Sequence, residues 1–511
     1  MDHRPTGFYT HLMLRKLGFV LLGLVVIVAG MTAVGFRIER GGSGWPRFIA
    51  RSNDDLLEAD RARQRQMAAP GLQVQDPASE RDAQGPADKP VAAEEAAASA
   101  SAQTSQITSA SAQSATADET VDKPNAGWPD FRGPNRDGRY TAAPIRTSWP
   151  PEGLRRLWKQ PVGAGYASFV VAEGRAFTIE QRRNREVVAA YEVQTGRELW
   201  TNGWNASFEE SMGGDGPRAT PTYHDGRVYA LGAEGELRVL DAATGTLVWR
   251  KNILSDNGAY NLSWGMSASP LIVDDTVVVL PGGTRGSSVV AYGKATGDPV
   301  WKALNDEASY TSPMLVTLGG VRQILAVTAT RVVGLTPDTG TLVWDYPWST
   351  YSGISVAQPI VFTHNGRDRI FMSASYGRGA AVFELTRTGD RFQAKTVWEN
   401  QRMKNKFTSS VLHNGHIYGL DESILASVNA ETGEQNWKGG RYGYGQLVLA
   451  GDHLVVLTED GDVVLVNATP TRHEEVARFS AIAGKTWNHP IIVDGKLLVR
   501  NIQEMAAFDI R

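Results

Sequence analysis

Short apolar segments recur along residues 128–511, separated by turns rich in Gly, Asn and Asp. Each such segment is followed by two further short strands, joined by hairpin turns such as Asn414-Gly415, and then by a fourth. The pattern predicts units of four antiparallel strands over roughly 40 to 50 residues, the size of a propeller blade. Eight opening strands begin near Ser168, Thr220, Ser269, Ser312, Gln358, Ser409, Gln446 and His489.

A closing motif, Thr-Gly-x-x-x-Trp, occurs five times, beginning at Thr195, Thr244, Thr296, Thr339 and Thr432. Gly tolerates positive φ and allows a tight turn into the fourth strand. We expect the Trp to fill the gap between neighbouring blades and its indole N–H to bond a carbonyl. Phe479 stands where a further Trp is expected. The blade-docking residues assigned in this way are Trp158, Trp200, Trp249, Trp301, Trp344, Trp398 and Trp437.

The last unit, Pro490 to Asp509, contains only three strands. The missing fourth is available near the start of the repeats as Leu154 to Trp158. Pairing the two ends in one blade would remove an exposed sheet edge. The sequence therefore predicts an all-β, eight-bladed β-propeller over residues 127–511, closed by pairing of its N- and C-terminal strands.

The N-terminal region predicts a membrane anchor. Leu17 to Phe36 is a run of 20 residues without charge, enough to cross about 30 Å of hydrocarbon as a helix. Arg15 and Lys16 precede it, which favours a cytoplasmic tail over residues 1–16. A cleaved signal peptide is the alternative. Residues 37–126, charged and then rich in Ala and Ser, are expected to form a disordered linker.

Both the membrane anchor and the cleaved signal peptide would place the propeller outside the cytoplasm. The anchored form predicts a single-pass protein of the bacterial cytoplasmic membrane, with the propeller on the periplasmic or extracellular side. The net charge of -3, without a basic stripe, argues against a nucleic-acid partner. The absence of cysteine excludes disulfides, thiolate metal sites and a lipid-anchoring Cys.

The repeat resembles that of the pyrroloquinoline quinone (PQQ)-type propellers, which include quinoprotein alcohol dehydrogenases and the barrel-assembly lipoprotein of the bacterial outer membrane. The motif Trp-x-x-Phe-Arg-Gly-Pro-Asn-Arg-Asp-Gly at Trp128 to Gly138 resembles a bacterial subgroup of PQQ-binding-like repeat proteins. The resemblance covers Trp128 to Arg511, about three quarters of the chain. It implies the fold, whereas the cysteines and calcium ligands of the dehydrogenases and the lipobox Cys find no match.

A candidate site lies at one mouth of the channel, because the loop before each innermost strand reaches it. Aromatic and basic residues there would suit a flat ring, an anionic ligand or a peptide. The alternative is that these side chains plug the channel and pack on each other. The acidic stretch from Glu209 is interpreted as either a cation site or a solvated loop. His489, Phe407 and the segment Tyr376 to Gly379 are also expected at this mouth. The candidate residues are Tyr166, Glu209, Asp215, Arg218, Trp264, Tyr310, Arg378, Lys406, Tyr444 and Trp487.

Two functions follow from these observations. The first is a membrane-anchored, extracytoplasmic binding or scaffold module for a cell-envelope protein or a small ligand, with no required cofactor or metal. The alternative is a dehydrogenase that oxidises alcohols or sugars with PQQ and calcium in its channel. Convergent acids with room for a flat tricyclic ring would favour PQQ, and a plugged channel would favour the scaffold.

Overall fold

The computed structural model describes residues 36–40, 46–50, 61 and 127–511. Over residues 127–511 the chain forms eight sheets. In seven of them four consecutive strands pair antiparallel in chain order, and the eighth takes its outer strand from Arg156–Pro161. Arg139–Tyr140 adds a parallel fifth strand to one sheet. The predicted all-β, eight-bladed propeller is confirmed. Within the described residues the helical content is small, and one 3-10 turn lies at Ser255–Asn257.

The described part of the N-terminal region forms a hairpin that the sequence analysis did not predict. Strand β1 (Phe36–Arg40) pairs antiparallel with β2 (Pro46–Ala50). The predicted membrane span, 17–36, lies outside the described residues except for Phe36, and so does most of the predicted linker. In the described segments, no helix has the length and apolar character needed to cross a bilayer. Arg61 is buried and donates a hydrogen bond to the carbonyl of Pro161.

The remaining strands are β3 (Arg139–Tyr140), β4 (Arg156–Pro161) and those of the eight blades. Blades one to four contain β5 (Val170–Ala172), β6 (Arg175–Arg182), β7 (Arg185–Glu192), β8 (Glu198–Asn205); β9 (Thr222–His224), β10 (Arg227–Leu231), β11 (Glu236–Asp241), β12 (Leu247–Asn252); β13 (Leu271–Val273), β14 (Thr276–Val279), β15 (Val289–Gly293), β16 (Pro299–Ala303); and β17 (Met314–Leu318), β18 (Val321–Val327), β19 (Arg331–Leu335), β20 (Leu342–Pro347).

Blades five to eight follow the same order. They contain β21 (Ile360–His364), β22 (Arg367–Ala374), β23 (Gly379–Thr388), β24 (Arg391–Asn400); β25 (Val411–His413), β26 (His416–Asp421), β27 (Ile424–Asn429), β28 (Gln435–Arg441); β29 (Gln446–Ala450), β30 (His453–Leu457), β31 (Asp462–Asn467), β32 (Glu475–Ser480); and β33 (Ile491–Val493), β34 (Lys496–Arg500), β35 (Glu504–Asp509).

Blade eight is completed by β4, which pairs antiparallel with β35 and places Trp158 opposite Ala507. An ion pair between Lys159 and Glu504, with 2.9 Å between Nζ and Oε1, lies across the same seam. The predicted closure of the ring by the two ends of the repeat region is therefore confirmed.

The Trp residues dock each blade on the next one. In six cases the indole N–H donates to a backbone carbonyl of the following blade, over 2.8 to 3.1 Å. In five of these cases, all except Trp437, the ring also covers the turn Gly of the following blade: a Cβ built on Gly245 would lie 2.5 Å from Trp200 Cε3. The motif therefore couples neighbouring blades, because the Gly of one blade leaves room for the Trp of the blade before it. The six residues are Trp158, Trp200, Trp249, Trp301, Trp398 and Trp437.

Two blades depart from this pattern. Trp344 donates to Oε1 of Gln323 in its own blade over 2.6 Å, because the following blade has elongated outer strands and a turn at Gly389 that approaches no Trp. In blade seven the register places Ala477, rather than Phe479, at the Trp position, beside the strand irregularity. Phe479 lies two residues further on and packs edge-on against Trp149 at 5.6 Å.

The segment Trp128–Gly138, here called the plug, crosses the channel and bonds to several blades. The amide of Trp128 bonds the Val171 carbonyl over 2.8 Å. Arg132 and Arg136 are buried and donate to the carbonyls of Ser410 and Pro313, both over 2.8 Å. Burial lowers the pKa of Arg132 to about 10. The channel is therefore closed by the plug, the segment that precedes the first blade, which the sequence analysis did not predict.

Buried charges on the two sides of blade one differ in how they are satisfied. Glu180 and Arg182 form an ion pair, and although burial alone would raise the pKa of Glu180, Arg182 and other arginines hold it below its usual range. Glu186 has no such partner and accepts one hydrogen bond, from the Ala233 amide over 2.7 Å. Burial raises the pKa of the Glu186 carboxyl to about 7.

Candidate binding site at the channel mouth

The loops before the innermost strands surround a cavity of about 420 Å³, here called the mouth cavity. Its base is formed by residues that open the innermost strands and by Phe131 of the plug. The wall residues are Tyr166, Arg218, Trp264, Ser267, Tyr310, Val356, Tyr376, Lys406, Phe407, Tyr444, Gln446 and Trp487, and the base residues are Phe131, Ser269, Ser312, Ser409 and His489.

Seven of the ten candidate residues from the sequence line this cavity; the other three do not. Glu209 is exposed, and Asp215 is buried beneath the loop that contains both residues. Arg378 lies away from the cavity: its guanidinium stacks on the Trp348 ring at 4.2 Å and forms an ion pair with Glu399. The acidic stretch therefore does not bring its carboxylates into the mouth cavity.

Four aromatic rings form a continuous arc along one side of the cavity. The ring of Trp487 lies 5.2 Å from that of Tyr166 and 4.6 Å from that of Phe407, between centroids. Phe407 in turn lies 5.6 Å from Tyr444. These separations are typical of packed aromatic pairs. The arc arises because consecutive mouth loops at blades six, seven, eight and one each place an aromatic residue at the same point before the innermost strand.

A second arc lies across blades two to five. Trp264 is its central residue, with ring centroids 5.7 Å from Tyr310 and 6.4 Å from Tyr376. Burial raises the pKa of the Tyr376 hydroxyl well above its usual range. The two arcs give the cavity walls that are mostly ring surface, and such surfaces suit flat or apolar groups.

Three cations lie against these rings. Burial is the largest influence on Arg218 and lowers its pKa, although Tyr166, Asp215 and Glu210 act in the opposite direction. Cations over aromatic faces are attracted by the negative face of the ring. The pairs are Arg218 over Tyr166 at 5.6 Å, Lys485 over Trp487 at 4.5 Å and Lys406 over Tyr444 at 4.8 Å.

Carboxylates support the rings from behind. The Tyr444 hydroxyl donates to Glu422 Oε2 and the Trp487 indole N–H donates to Glu459 Oε1, each over 3.2 Å. Burial and Glu422 raise the pKa of Tyr444, so the hydroxyl stays protonated as a donor. No Asp or Glu belongs to the described residues that line the cavity. The acids therefore orient the aromatic edges, while the cavity itself presents ring faces and cations.

Two hydroxyls of the cavity lining have no hydrogen-bond partner within the described part of the chain. They are Ser269 Oγ at the base and the Tyr376 hydroxyl in the wall. Burial and the neighbouring Arg132 hold the pKa of His489 well below its usual range, so the ring is neutral and offers one donor and one acceptor. Buried polar groups are normally satisfied, and these two hydroxyls are available to a ligand or to ordered water.

The residues present do not fit a calcium ion beside PQQ. Calcium takes six to eight oxygen ligands, usually with several carboxylates. Across residues 127–511 and the shorter described segments, no group of three or more His, Asp or Glu side chains is arranged to hold a metal ion. The cavity supplies cations, hydroxyls and one neutral imidazole instead.

Sequence reasoning missed Phe131 and Lys485. Phe131 reaches the cavity because the plug enters the channel, and no periodicity in the sequence indicates that path. Lys485 lies two residues before Trp487 and is buried against the Trp487 ring. Its position in the last mouth loop was a signal that could have identified it.

Eight blades, five of them docked on the next one by a Trp over a turn Gly, define a PQQ-like repeat β-propeller, which confirms the resemblance drawn from the sequence. A family model described as outer membrane protein assembly factor BamB matches residues 183–439, which is half of the 511-residue chain. The chain belongs to that family.

Related proteins fall into two groups. BamB of Burkholderia pseudomallei is 23% identical over 379 residues, which cover 64% of this chain and 92% of the relative. The quinoprotein ethanol dehydrogenase of Pseudomonas aeruginosa is 29% identical over 163 residues, which cover 29% of this chain and 25% of that enzyme. The Burkholderia relative therefore matches along nearly its full length, and the ethanol dehydrogenase only over a short stretch.

Solved structures from both groups share the fold. The crystal structure of BamB from Moraxella catarrhalis has a TM-score of 0.51 at 17% identity and covers 70% of this chain and 100% of its own. A europium-containing methanol dehydrogenase has a TM-score of 0.58 at 14% identity, with coverages of 75% and 91%. At these identities the similarity concerns architecture alone.

Proposed function

We propose that this chain is a binding or scaffold module of the bacterial cell envelope, and that a partner protein docks on the face around the mouth cavity. The observation that carries this proposal is the cavity itself, whose walls are aromatic and cationic and whose lining contains no carboxylate among the described residues. Such a surface suits recognition, and it lacks the oxygen ligands that a calcium-dependent quinone site needs. The named function of the BamB relatives, outer membrane protein assembly, supports a protein partner.

Exposed apolar side chains on the same face support a protein partner over a small ligand alone. Tyr260 and Tyr351 are 94% and 93% exposed, and Met212 at the cavity rim is 47% exposed. All three lie in loops that join an outer strand to the next innermost strand, the loops that also form the cavity wall. Exposed aromatic residues around a concave centre are typical of protein interfaces.

The proposal includes the anchor predicted from the sequence. Residues 17–36 hold the chain in the cytoplasmic membrane, and the rest of the region up to residue 126 separates the propeller from it on the outer side. Support comes from the uncharged length of that segment and from the basic residues before it. Alkaline extraction of membranes should retain the full chain and release a variant that lacks residues 1–36, whereas equal release of both would contradict the anchor.

Site-specific photocrosslinking tests the docking face. A photoreactive amino acid replaces Tyr260 or Tyr351 in the full chain, expressed in its native membranes, and a control variant carries it at Val300, which is 54% exposed on outer strand β16. We expect one discrete crosslinked envelope protein at both mouth positions and none at the control. Crosslinks only at the control position would contradict the docking face.

A second measurement tests the dehydrogenase alternative. The full chain is incubated with PQQ and calcium, and reduction of an artificial electron acceptor is followed over a panel of alcohols and sugars. We expect no substrate-dependent reduction above that of chain without PQQ. Substrate-dependent turnover that requires both PQQ and calcium would overturn the binding function.

A further inference from the structure

We infer that the mouth cavity is a docking subsite for an extended segment of the partner protein in which an acidic residue is adjacent to an aromatic one. This inference rests on the proposed function and specifies the chemistry of the partner. The aromatic side chain packs on the rings of the cavity, the carboxylate lies near Lys406, and the segment's backbone bonds the hydroxyls of Ser269 and Tyr376.

The aromatic preference follows from which atoms of the wall are already engaged. The polar edges of Tyr444 and Trp487 are used by Glu422 and Glu459. Both rings line the cavity together with Phe407 between them, and Lys406 and Lys485 each lie over one of their faces. A flat side chain can make offset or edge-on contacts with such faces, which a branched aliphatic side chain cannot.

The acidic preference follows from the charges that line the cavity. Arg218 and Lys406 are the charged lining residues, and His489 at the base is held neutral. The carboxylates of Glu422 and Glu459 lie behind the rings, where they accept hydrogen bonds from them. A partner carboxylate would therefore meet cations first, in a partly desolvated site where charge-assisted hydrogen bonds are strong.

The lining of the cavity favours a peptide over a simple hydrocarbon or an inorganic anion. The hydroxyls of Ser269 and Tyr376 can each donate and accept, and neither has a protein partner in the described chain. An extended backbone presents N–H and C=O groups in alternation and can satisfy both kinds. A volume of about 420 Å³ accommodates one large side chain with its flanking backbone, and not a folded element.

Fluorescence anisotropy with short labelled peptides tests this inference on the full chain in detergent. The first peptide carries Asp-Phe within a Gly-Ser context, and the comparison peptides carry Asn-Phe, Lys-Phe or Asp-Ala at the same place. We expect the Asp-Phe peptide to bind about tenfold more tightly than each comparison peptide, as loss of one charge-assisted bond or one aromatic contact implies.

Two variants and a matched control locate the contacts. Lys406→Met should weaken binding of the Asp-Phe peptide about tenfold and leave the Asn-Phe peptide unchanged. Tyr376→Phe removes one hydroxyl without changing the ring and should weaken both peptides. Lys302→Met removes a lysine from the exposed outer strand β16 and should change neither. Equal thermal midpoints of all variants establish that they are folded.

Three results would overturn the inference: equal binding of the Asp-Phe and Lys-Phe peptides, no effect of Lys406→Met, or saturation of the cavity by phenylacetate as tightly as by the peptide. The last result would make the cavity a small-molecule site. If photocrosslinking at Tyr260 still captures one envelope protein while the peptides show no preference, the ligand chemistry is wrong and the proposed function stands.

Discussion

Substitution of a turn glycine tests the coupling between blades most directly. Gly245 and Gly226 both have positive φ, +76° and +70°, in turns of blade two. A Cβ on Gly245 would lie 2.5 Å from Cε3 of Trp200, whereas a Cβ on Gly226 would have open space around it. The pair of Gly→Ala variants therefore separates backbone strain from the contact with the Trp of the preceding blade.

The expected losses in the free energy of unfolding follow from the backbone strain and from the contact with Trp200. An L-residue at left-handed φ costs about 1 kcal/mol, and both variants carry that cost. Trp200 is 1% exposed, so its ring has no free space into which to move. Overpacking of a buried site costs about 1–3 kcal/mol more. We therefore expect Gly245→Ala to lower the free energy of unfolding by about 1–3 kcal/mol more than Gly226→Ala.

Urea unfolding followed by Trp fluorescence measures the difference, provided that the slopes of the transitions agree. In a Trp200→Phe background the extra cost of Gly245→Ala should shrink, because the smaller ring leaves room for the methyl group. If the two Gly→Ala variants unfold at the same urea concentration in both backgrounds, the blades are not coupled through this contact.

Three further predictions concern buried polar groups. Because the Glu186 carboxyl is neutral in the folded protein up to about pH 7 and ionises near pH 4.5 in the unfolded chain, stability should fall by about 3 kcal/mol as pH rises between those values. Glu186→Gln should abolish that loss and Glu209→Gln should not, as measured by urea unfolding at pH 5 and pH 8. Arg136→Met leaves the Pro313 carbonyl of blade four without its donor and should cost about 3 kcal/mol, against about 0.5 kcal/mol for the exposed Arg139→Met, in thermal melts. Gln323→Leu leaves the indole N–H of blade four without its acceptor and should cost about 1–3 kcal/mol; an unchanged melting temperature would refute this assignment.

The eight blades could be predicted from the sequence because the residues that define each blade are close together in the chain and recur from blade to blade. The turn Gly and the Trp of each motif lie within a few residues of each other, and the apolar strands alternate with readable turns. Ring closure was also predictable, since one unit lacked a strand and the other end of the repeats supplied one. In blade seven, by contrast, nothing in the sequence indicated that Ala477 takes the Trp position.

The mouth residues were predictable from their position before each innermost strand, but the base of the cavity was not. Arg132 and Arg136 hold the plug through backbone carbonyls of distant blades, and a carbonyl carries no sequence signal. The charges of Glu209 and Asp215 suggested a site because their loop lies at the mouth. The fold exposes the first and buries the second, so neither lines the cavity.

The seam between β4 and β35 has a consequence for the order of folding. The groups it joins lie as far apart as Arg155 and Asp509, which are separated by 354 positions. Closing a loop of that length costs about 2 kcal/mol more entropy than closing one blade. Strand β4 must therefore wait, with an unpaired edge, until β35 has been synthesised. A truncation that removes only β35 leaves β4 without its partner and opens the ring at blade eight.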